Sequence, residues 1–170
     1  MSEVCNGEFY SVPPKDHIAR YEKAAAFLRD YKGTVLDVGC GGGYGAKILK
    51  GSGLTVVGVE KNKEAAKMAF DSCLDVVMAD AATLDFTGKA VVMFEFIEHN
   101  EDGIMFFDKA IREADAVVAS VPYLEPKGAN EYHLLHDLSC SSFPATTPRT
   151  IFEICPDYAC QSLMMFWRRA

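Results

Sequence analysis

The stretch VLDVGCGGGYG, Val35 to Gly45, places five glycines within seven residues directly behind a short apolar run. The apolar run has the composition of a buried strand, and the following GYGAKILK, residues 43–50, predicts a helix. Glycines at a strand-to-helix turn permit positive φ angles and let a ligand approach the backbone where a Cβ atom would block it. The stretch therefore predicts a ligand site at the first strand-to-helix turn of an open α/β sheet.

Strands and helices are predicted to alternate around this turn. Apolar, β-branched runs predict strands at residues 34–38, 54–60, 74–79, 90–96 and 116–121. Amphipathic spacing predicts further helices at residues 17–31, 63–72 and 102–114. The last two apolar runs, residues 150–156 and 161–169, predict an antiparallel hairpin whose final strand is either inserted into the sheet or laid along its edge. We therefore predict an α/β fold with a mostly parallel seven-stranded sheet covered by helices on both faces, and a C-terminal antiparallel hairpin.

The length and composition fit one domain. At 170 residues, with 49% of them hydrophobic, the chain can bury one sizeable core. The segment after the fifth strand is rich in turn residues, which predicts a long loop with one short helix, and such loops often carry function. We expect an N-terminal helical segment, a ligand-binding core, a substrate-side loop and two terminal strands, at residues 1–32, 33–121, 122–149 and 150–170 respectively.

The charge and the cysteines narrow the class of function. The 17 Lys and Arg residues against 24 Asp and Glu give a net charge of −7, which disfavours nucleic acid and anionic membranes as partners. No apolar stretch reaches the roughly 18 residues that a membrane span needs, and no signal peptide is recognisable, so we expect a cytoplasmic protein. The 6 cysteines form no C-x-x-C pair, so we expect reduced thiols rather than a zinc site or disulfides.

Two carboxylates identify the class of cofactor. Glu60 ends the second predicted strand about 20 residues beyond Gly39, the spacing at which a carboxylate accepts the hydroxyls of a ribose. The dinucleotide fingerprint is ambiguous, because it fails when read from Gly39 and passes when read from Gly41. Asp37, inside the first strand, would repel a pyrophosphate and stabilise a cofactor that carries a sulfonium and an ammonium group. The charge therefore favours S-adenosylmethionine over a nicotinamide dinucleotide.

These motifs together resemble those of the class I S-adenosylmethionine-dependent methyltransferases over nearly the whole chain. VLDVGCGGGYGA resembles their first motif, VVGVEKN the second, MADAATLDF the third with Asp80 and Ala81 at the adenine, and VVMFEFIEH the fourth. The resemblance implies a three-layer Rossmann-like methyltransferase fold and S-adenosylhomocysteine as the product. It places the cofactor against Arg20, Tyr21, Asp37, Gly39, Cys40, Gly41, Tyr44, Glu60, Lys61, Asp80, Ala81, Phe94 and Glu95.

Three further segments are similar to the small type 11/23-like methyltransferases. They are HIARYEKAA before the first motif, FEFIEH after the fourth strand, and SVPY…NEYHLLH after the fifth. In those relatives the His-x-x-Arg-Tyr segment lies over the amino-acid end of the cofactor, which implies that role for His17, Arg20 and Tyr21. The chain departs from the family in its short link between the third and fourth strands and in lacking a Pro-Gly-Gly turn before the fifth.

Methyl transfer needs a base only if the acceptor must lose a proton, and for a hydroxyl acceptor we expect that base near the carboxyl ends of the fourth and fifth strands. A histidine suits this role because its ordinary pKa lies near neutrality. We predict His99, His133 and Glu95 as catalytic residues, acting on a small-molecule acceptor with an oxygen or nitrogen nucleophile. Two alternatives stay open, a nicotinamide-dependent oxidoreductase and a non-catalytic S-adenosylmethionine-binding partner subunit, and the chain is expected to be a monomer or a homodimer.

The segment EFIEH, residues 95–99, raises the question of a metal. It resembles the Glu-x-x-Glu-His segment with which quinone O-methyltransferases and small-RNA 3′-end methyltransferases hold a divalent ion, and His133 or His136 could add a ligand. Other relatives carry the same segment without a metal, and the RNA-end reaction would need a basic approach surface that a net charge of −7 does not supply. We predict a metal-independent enzyme in which Glu95 and His99 line the acceptor side of the pocket.

Overall fold

The computed structural model describes residues 13–72, 74–143, 150–156 and 161–170. Seven strands form one sheet in the order β3-β2-β1-β4-β5-β7-β6. The strands are β1 (Thr34–Val38), β2 (Thr55–Glu60), β3 (Val76–Met78), β4 (Lys89–Phe94), β5 (Ala116–Tyr123), β6 (Ile151–Pro156) and β7 (Gln161–Arg168). The helices are α1 (Lys15–Leu28), α2 (Tyr44–Gly51), α3 (Lys63–Asp71) and α4 (Gly103–Glu113), with 3₁₀ turns at Ala81–Thr83, Ile97–His99 and Cys140–Ser142.

The topology confirms the predicted fold class. Strands β1 to β5 pair in parallel, and β7 pairs antiparallel with both β5 and β6. The final strand is inserted between β5 and β6 rather than laid along the edge. Leu163, Met164 and Met165 of β7 are therefore buried in succession, because both faces of an inner strand are covered.

Alternate side chains of each strand enter two cores, one on each face of the sheet. On β4, Ala90 and Val92 pack with the side of α1 and α2, where Leu28 and Leu49 are fully buried. Val91 and Met93 pack on the opposite side, with Phe107 of α4. Both faces of the sheet are therefore apolar and covered by helices. The polar side chains lie instead at the carboxyl ends of the parallel strands.

The element boundaries differ from the predictions by up to three residues, and three of these differences concern elements that hold site residues. Helix α1 spans Lys15–Leu28 rather than residues 17–31. Strand β4 ends at Phe94, so the prediction of strand through residue 96 is wrong; Glu95 has a φ of 48°, which no strand residue adopts. Helix α4 begins at Gly103, where a Cβ atom would lie 1.9 Å from the Ile97 carbonyl oxygen, so this start packs directly on the preceding 3₁₀ turn.

The segment after β5 is an irregular loop, as predicted, with one 3₁₀ turn at Cys140–Ser142. Residues 144–149 of the predicted loop lie outside the described residues, as do residues 1–12 of the predicted N-terminal segment. In the part of the chain that the structure describes, no helix combines the length and the apolarity that crossing a membrane requires.

Candidate functional site

A cavity of about 330 Å³ opens at the carboxyl ends of β1, β2 and β4. This is the edge at which ligands bind in open α/β sheets. Its wall carries three carboxylates, those of Glu60, Asp80 and Glu95, against one cation, Lys61. The remaining wall is formed by Val38, Gly39, Val59, Ala79, Ala81, Phe96, His99, Asn100 and Tyr132.

The glycine turn adopts the conformation that its sequence predicts. Gly39 and Gly41 have φ angles of 73° and 53°. A Cβ atom on Gly39 would lie 2.8 Å from the Phe96 ring, so a side chain at this point would press into the cavity wall. The absence of a side chain at Gly39 thus lets the Phe96 ring pack directly against the backbone of the turn.

Glu60 fastens the glycine turn to the end of β2. Its Oε2 accepts a hydrogen bond from the Gly41 backbone N–H at 3.0 Å, and its Oε1 accepts one from the Asn62 N–H at 2.7 Å. Glu60 is 8% exposed and lines the cavity. Each carboxylate oxygen has a second lone pair, so Glu60 can also accept bonds from ligand hydroxyls.

Asp37 lies behind the cavity wall and is fully buried. Its Oδ1 accepts a hydrogen bond from the Tyr21 hydroxyl at 3.1 Å, whereas Oδ2 has no hydrogen-bond partner among the described residues. Burial, with a smaller contribution from the charge of Glu60, raises the pKa of Asp37 to about 7. A nearby ligand cation would favour the charged form, as the sequence interpretation requires, although Asp37 itself does not line the cavity.

Helix α1 is tied to the carboxyl ends of the sheet through Arg20, which is 3% exposed. Its Nη1 donates to Glu95 Oε1 at 2.6 Å and to Ser162 Oγ at 2.8 Å, and its Nη2 donates to Asp16 Oδ2 at 3.1 Å. Glu95 Oε1 also accepts from Ser120 Oγ at 2.8 Å. These contacts hold Glu95 in its left-handed conformation at the cavity wall.

The 3₁₀ turn after β4 brings three candidate metal ligands together. One ligand atom each from Glu98, His99 and His133 lies within 4.8 Å of the others. Glu98 is fully buried, and neither of its carboxylate oxygens has a hydrogen-bond partner among the described residues. Burial, and then the charge of Glu95, raises the pKa of Glu98 well above its ordinary value.

The loop after β5 closes over this turn. The backbone N–H groups of Leu134 and Leu135 donate to the Glu98 carbonyl oxygen at 2.8 and 3.1 Å. His133 is 8% exposed and contacts the Glu125 carboxylate through Nδ1. The His99 and His133 rings meet edge to face, with centroids 4.8 Å apart.

The structure places the predicted site residues at two depths. Gly39, Glu60, Lys61, Asp80, Ala81, Glu95 and His99 line the cavity. Eight other predicted residues are not part of the cavity wall. Six of them are buried, namely Arg20, Tyr21, Asp37, Cys40, Phe94 and His133, and the other two are Gly41 and Tyr44. Tyr44 lies on the α1 side, where its hydroxyl is 2.6 Å from His17 Nδ1.

Sequence reasoning missed several residues of the site. Phe96, Asn100 and Tyr132 line the cavity, and Glu125 and Ser162 contact predicted site residues. Tyr132 and Glu125 lie in the loop, residues 122–149, that we expect on the substrate side, but the sequence singles out neither residue. Ser162 carries no signal of its own, since it is one polar residue at the start of an apolar strand.

The sequence profile of a family described as "Methyltransferase domain" matches residues 13–144. A search of curated proteins gave no significant match. Among solved structures, magnesium protoporphyrin IX methyltransferase from Synechocystis PCC 6803 with bound S-adenosylhomocysteine is similar, at 15% identity and a TM-score of 0.72. That alignment covers 91% of this chain and 84% of the other.

Two other solved structures share the fold. The plantazolicin methyltransferase BpumL, in complex with a pentazolic desmethylPZN analogue and S-adenosylhomocysteine, is 12% identical with a TM-score of 0.69, covering 98% of this chain and 90% of that one. The methyltransferase domain of bacterial CtHen1-CN is 18% identical with a TM-score of 0.67, covering 88% of this chain and 97% of that one.

Proposed function

The chain belongs to the methyltransferase-domain family, and from that premise we propose that it transfers a methyl group from S-adenosylmethionine to a hydroxyl or amine of a small molecule. One observation carries the proposal. An acidic cavity lies over the glycine turn, with Glu60 at the end of β2 and the carboxylates of Asp80 and Glu95 beside it. A cationic nucleoside cofactor fits this lining, whereas a pyrophosphate would meet three carboxylates and a single lysine.

The lining offers a candidate partner for each part of such a cofactor. Glu60 would accept the ribose hydroxyls, and Asp80 and Ala81 would hold the adenine at the end of β3. Gly39 would allow the backbone to approach the amino-acid end, on the side where Arg20 and Tyr21 of α1 lie. S-Adenosylmethionine, when bound, supplies a methyl group that is already activated by its sulfonium.

The protein's own contribution is then to position the acceptor, to exclude water and to take up a proton. Phe96, Asn100 and Tyr132 form the part of the wall that an acceptor would contact. His99 lies in the same part of the wall and can accept the proton of an acceptor hydroxyl. The acidic lining and the cavity volume favour a small, neutral or cationic acceptor.

Two of the structural neighbours support a small-molecule acceptor. One neighbour is named for magnesium protoporphyrin IX, and another was solved with a desmethyl natural-product analogue. By analogy we propose an acceptor of small-molecule size for this chain, with oxygen or nitrogen as the methylated atom.

Calorimetry on the purified chain tests the choice of cofactor. We expect S-adenosylhomocysteine to bind and NAD to give no heat of binding. Binding of NAD without a response to S-adenosylhomocysteine would instead support the nicotinamide-dependent oxidoreductase. S-Adenosylhomocysteine binding without transfer to any member of a panel of hydroxyl and amine acceptors would favour the non-catalytic partner subunit.

One observation favours a second candidate, metal-assisted methyl transfer. The unpartnered Glu98 carboxylate together with His99 and His133 offers the mixed oxygen and nitrogen donors that suit zinc, manganese or iron. We propose metal independence as the primary mechanism, because relatives carry the same Glu-x-x-Glu-His segment without a metal. Turnover measured with and without a chelator distinguishes the two: loss in the chelator and recovery with added manganese or zinc would establish the metal-assisted reaction.

A further inference from the structure

Strand β6 leaves one edge of the sheet open. It is the last strand in the sheet order, and among the described residues β7 is the one strand that pairs with it. The backbone N–H and C=O groups on its outer side can therefore pair with an extended segment of another chain. The opposite edge of the sheet is formed by β3, which has three residues against the six of β6 and so offers a much shorter ladder.

The open strand carries exposed apolar side chains. Ile151, Phe152 and Ile154 are 62%, 36% and 45% exposed. Natural edge strands are commonly protected from pairing by lysines, by bulges or by a proline within the strand. In β6 the one charged residue is Glu153, and Pro156 stands only at the end. An edge of this length and composition is suited to burial against another strand.

The register with β7 assigns each side chain of β6 to a face of the sheet. Ile151, Glu153 and Cys155 lie on the face that α1 covers. Phe152 and Ile154 lie on the face that α4 covers. Residues that lie directly opposite each other in an antiparallel pair share a face, so an added strand must match β6 face by face.

A second copy of β6 matches this edge in one register. About a twofold axis at Glu153, residues 151–155 of one copy pair antiparallel with residues 155–151 of the other. Phe152 then lies opposite the partner's Ile154, and the same contact is made a second time across the axis. Pro156, which has no N–H to donate, falls outside the paired run. This register therefore buries the exposed apolar side chains of the α4 face against each other.

The charges on the α1 face also match about this axis. Glu153 would lie opposite the partner's Glu153, and like charges in that position repel each other. Lys23 of α1 contacts the Glu153 carboxylate, and both side chains are partly exposed. Each copy thus brings one cation and one anion to the axis, so the group of four side chains is neutral.

We propose that this protein forms a twofold-symmetric dimer through β6, in which two seven-stranded sheets join into one. The partner is a second copy of this chain, because the edge is complementary to itself in both its apolar contacts and its charges. A contact of this symmetry closes at two copies. The cavity at the carboxyl ends of β1, β2 and β4 is separated from the edge by β5 and β7, so the dimer leaves it open.

Sedimentation equilibrium over a range of protein concentrations tests the dimer. We expect the wild type to approach twice the mass of one chain. Ile154→Lys places a charge against the partner's Phe152 and should shift the mass to that of one chain. Met105→Lys, a matched change of an exposed apolar residue on α4, should leave the dimer intact. A wild type that stays monomeric at every concentration, as it would if the edge served a different protein, would overturn the proposal.

A charge exchange tests the contacts at the axis. Lys23→Glu would bring four carboxylates together there and should abolish the dimer. Adding Glu153→Lys to that variant restores two cations and two anions and should recover the dimer. Lys47→Glu, on an exposed position of α2, makes the same change in net charge and should have no effect. A dimer that persists in Lys23→Glu would contradict the assigned axis.

A disulfide tests the register independently of the variants that break the dimer. Cys155 lies opposite the partner's residue 151 in this register, at the Cα separation of about 5 Å that a disulfide can span. Within one chain these positions are about 13 Å apart along the strand, so a bond between them must join two chains. Ile151→Cys should therefore form a 151–155 disulfide on mild oxidation, and Phe152→Cys, on the other face, should not bond to Cys155. Oxidised Ile151→Cys without this link in peptide mass spectra would overturn the proposed pairing.

Discussion

Glu60 shows how one side chain can serve the fold and the ligand at the same time. Its two oxygens hold the glycine turn and the start of α3, and it stands on the cavity wall. The sequence predicted its position from spacing alone, because the end of β2 and the glycine turn must meet in this topology. The hydrogen bonds from the Gly41 and Asn62 backbone to this carboxylate were not predictable, because they depend on the paths of the loops after β1 and β2.

Glu60→Ala is expected to weaken S-adenosylhomocysteine binding by roughly 1.5–3 kcal/mol, the scale for losing charge-assisted hydrogen bonds to a ligand. Calorimetry gives the difference directly. Glu64→Ala, in the exposed first turn of α3, is the matched control and should leave the affinity unchanged. Equal affinities for wild type and Glu60→Ala would show that the ribose lies elsewhere.

Asp37 should make the stability of the ligand-free protein fall as pH rises. The folded-state pKa of about 7 lies above the ordinary value of 3.8, so the unfolded chain releases its proton first. The native state is therefore destabilised progressively from about pH 4 and fully above pH 7, by roughly 4 kcal/mol at about 1.4 kcal/mol per pKa unit. Asp37→Asn should remove this pH dependence and raise the melting temperature at pH 8.

Thermal unfolding across pH 5–9 checks this expectation, with Asp30→Asn, an exposed aspartate just after α1, as the control. A melting temperature of Asp37→Asn that follows the wild type at every pH would contradict it. The same variant should bind S-adenosylhomocysteine more weakly than the wild type, because the ligand's ammonium would no longer meet a negative charge.

The turn after β4 is the element where sequence reasoning failed most clearly. The run VVMFEF predicts strand through Phe96 on composition, yet the chain leaves the strand at Glu95. The cause is tertiary: Arg20 and Ser120 bind the Glu95 carboxylate from elements 75 and 25 residues away in sequence. No local sequence pattern indicates such contacts. The apolar strands and amphipathic helices do have local patterns, so their ends were predicted to within a few residues.

Arg20→Ala should destabilise the protein by roughly 3 kcal/mol, because it leaves Glu95 in a strained conformation and without its cation. Urea unfolding gives the change in free energy of unfolding. Arg29→Ala, one residue beyond α1 and with a side chain that is 79% exposed, should change it by less than about 0.5 kcal/mol. A similarly small effect at Arg20 would mean that the buried ion pair contributes no net stability.

At the scale of the whole molecule, helix α1 connects distant strands. Its side chains bind Asp37 on β1, Glu95 after β4, Ser162 on β7 and Glu153 on β6. The alternation of strands and helices was enough to predict the sheet and its C-terminal hairpin. The position of α1 across the sheet was implied only by the resemblance to known methyltransferases, because nothing in an amphipathic pattern says which partner its apolar face will meet.

This arrangement predicts where the protein should become more rigid when ligand binds. The contacts of α1 with Tyr44 and Glu95 place its first turns beside the glycine turn and the cavity wall, so a ligand held between them should stabilise residues 15–21. Amide hydrogen exchange should slow there on addition of S-adenosylhomocysteine, by at least as much as in the glycine turn. The last turn of α4, which ends beside the amino end of β4, where the Asp115 N–H donates to the Lys89 carbonyl oxygen, is the internal control and should exchange at an unchanged rate. Protection confined to the glycine turn would mean that the ligand binds without α1, and that the Arg20 contacts serve the fold alone.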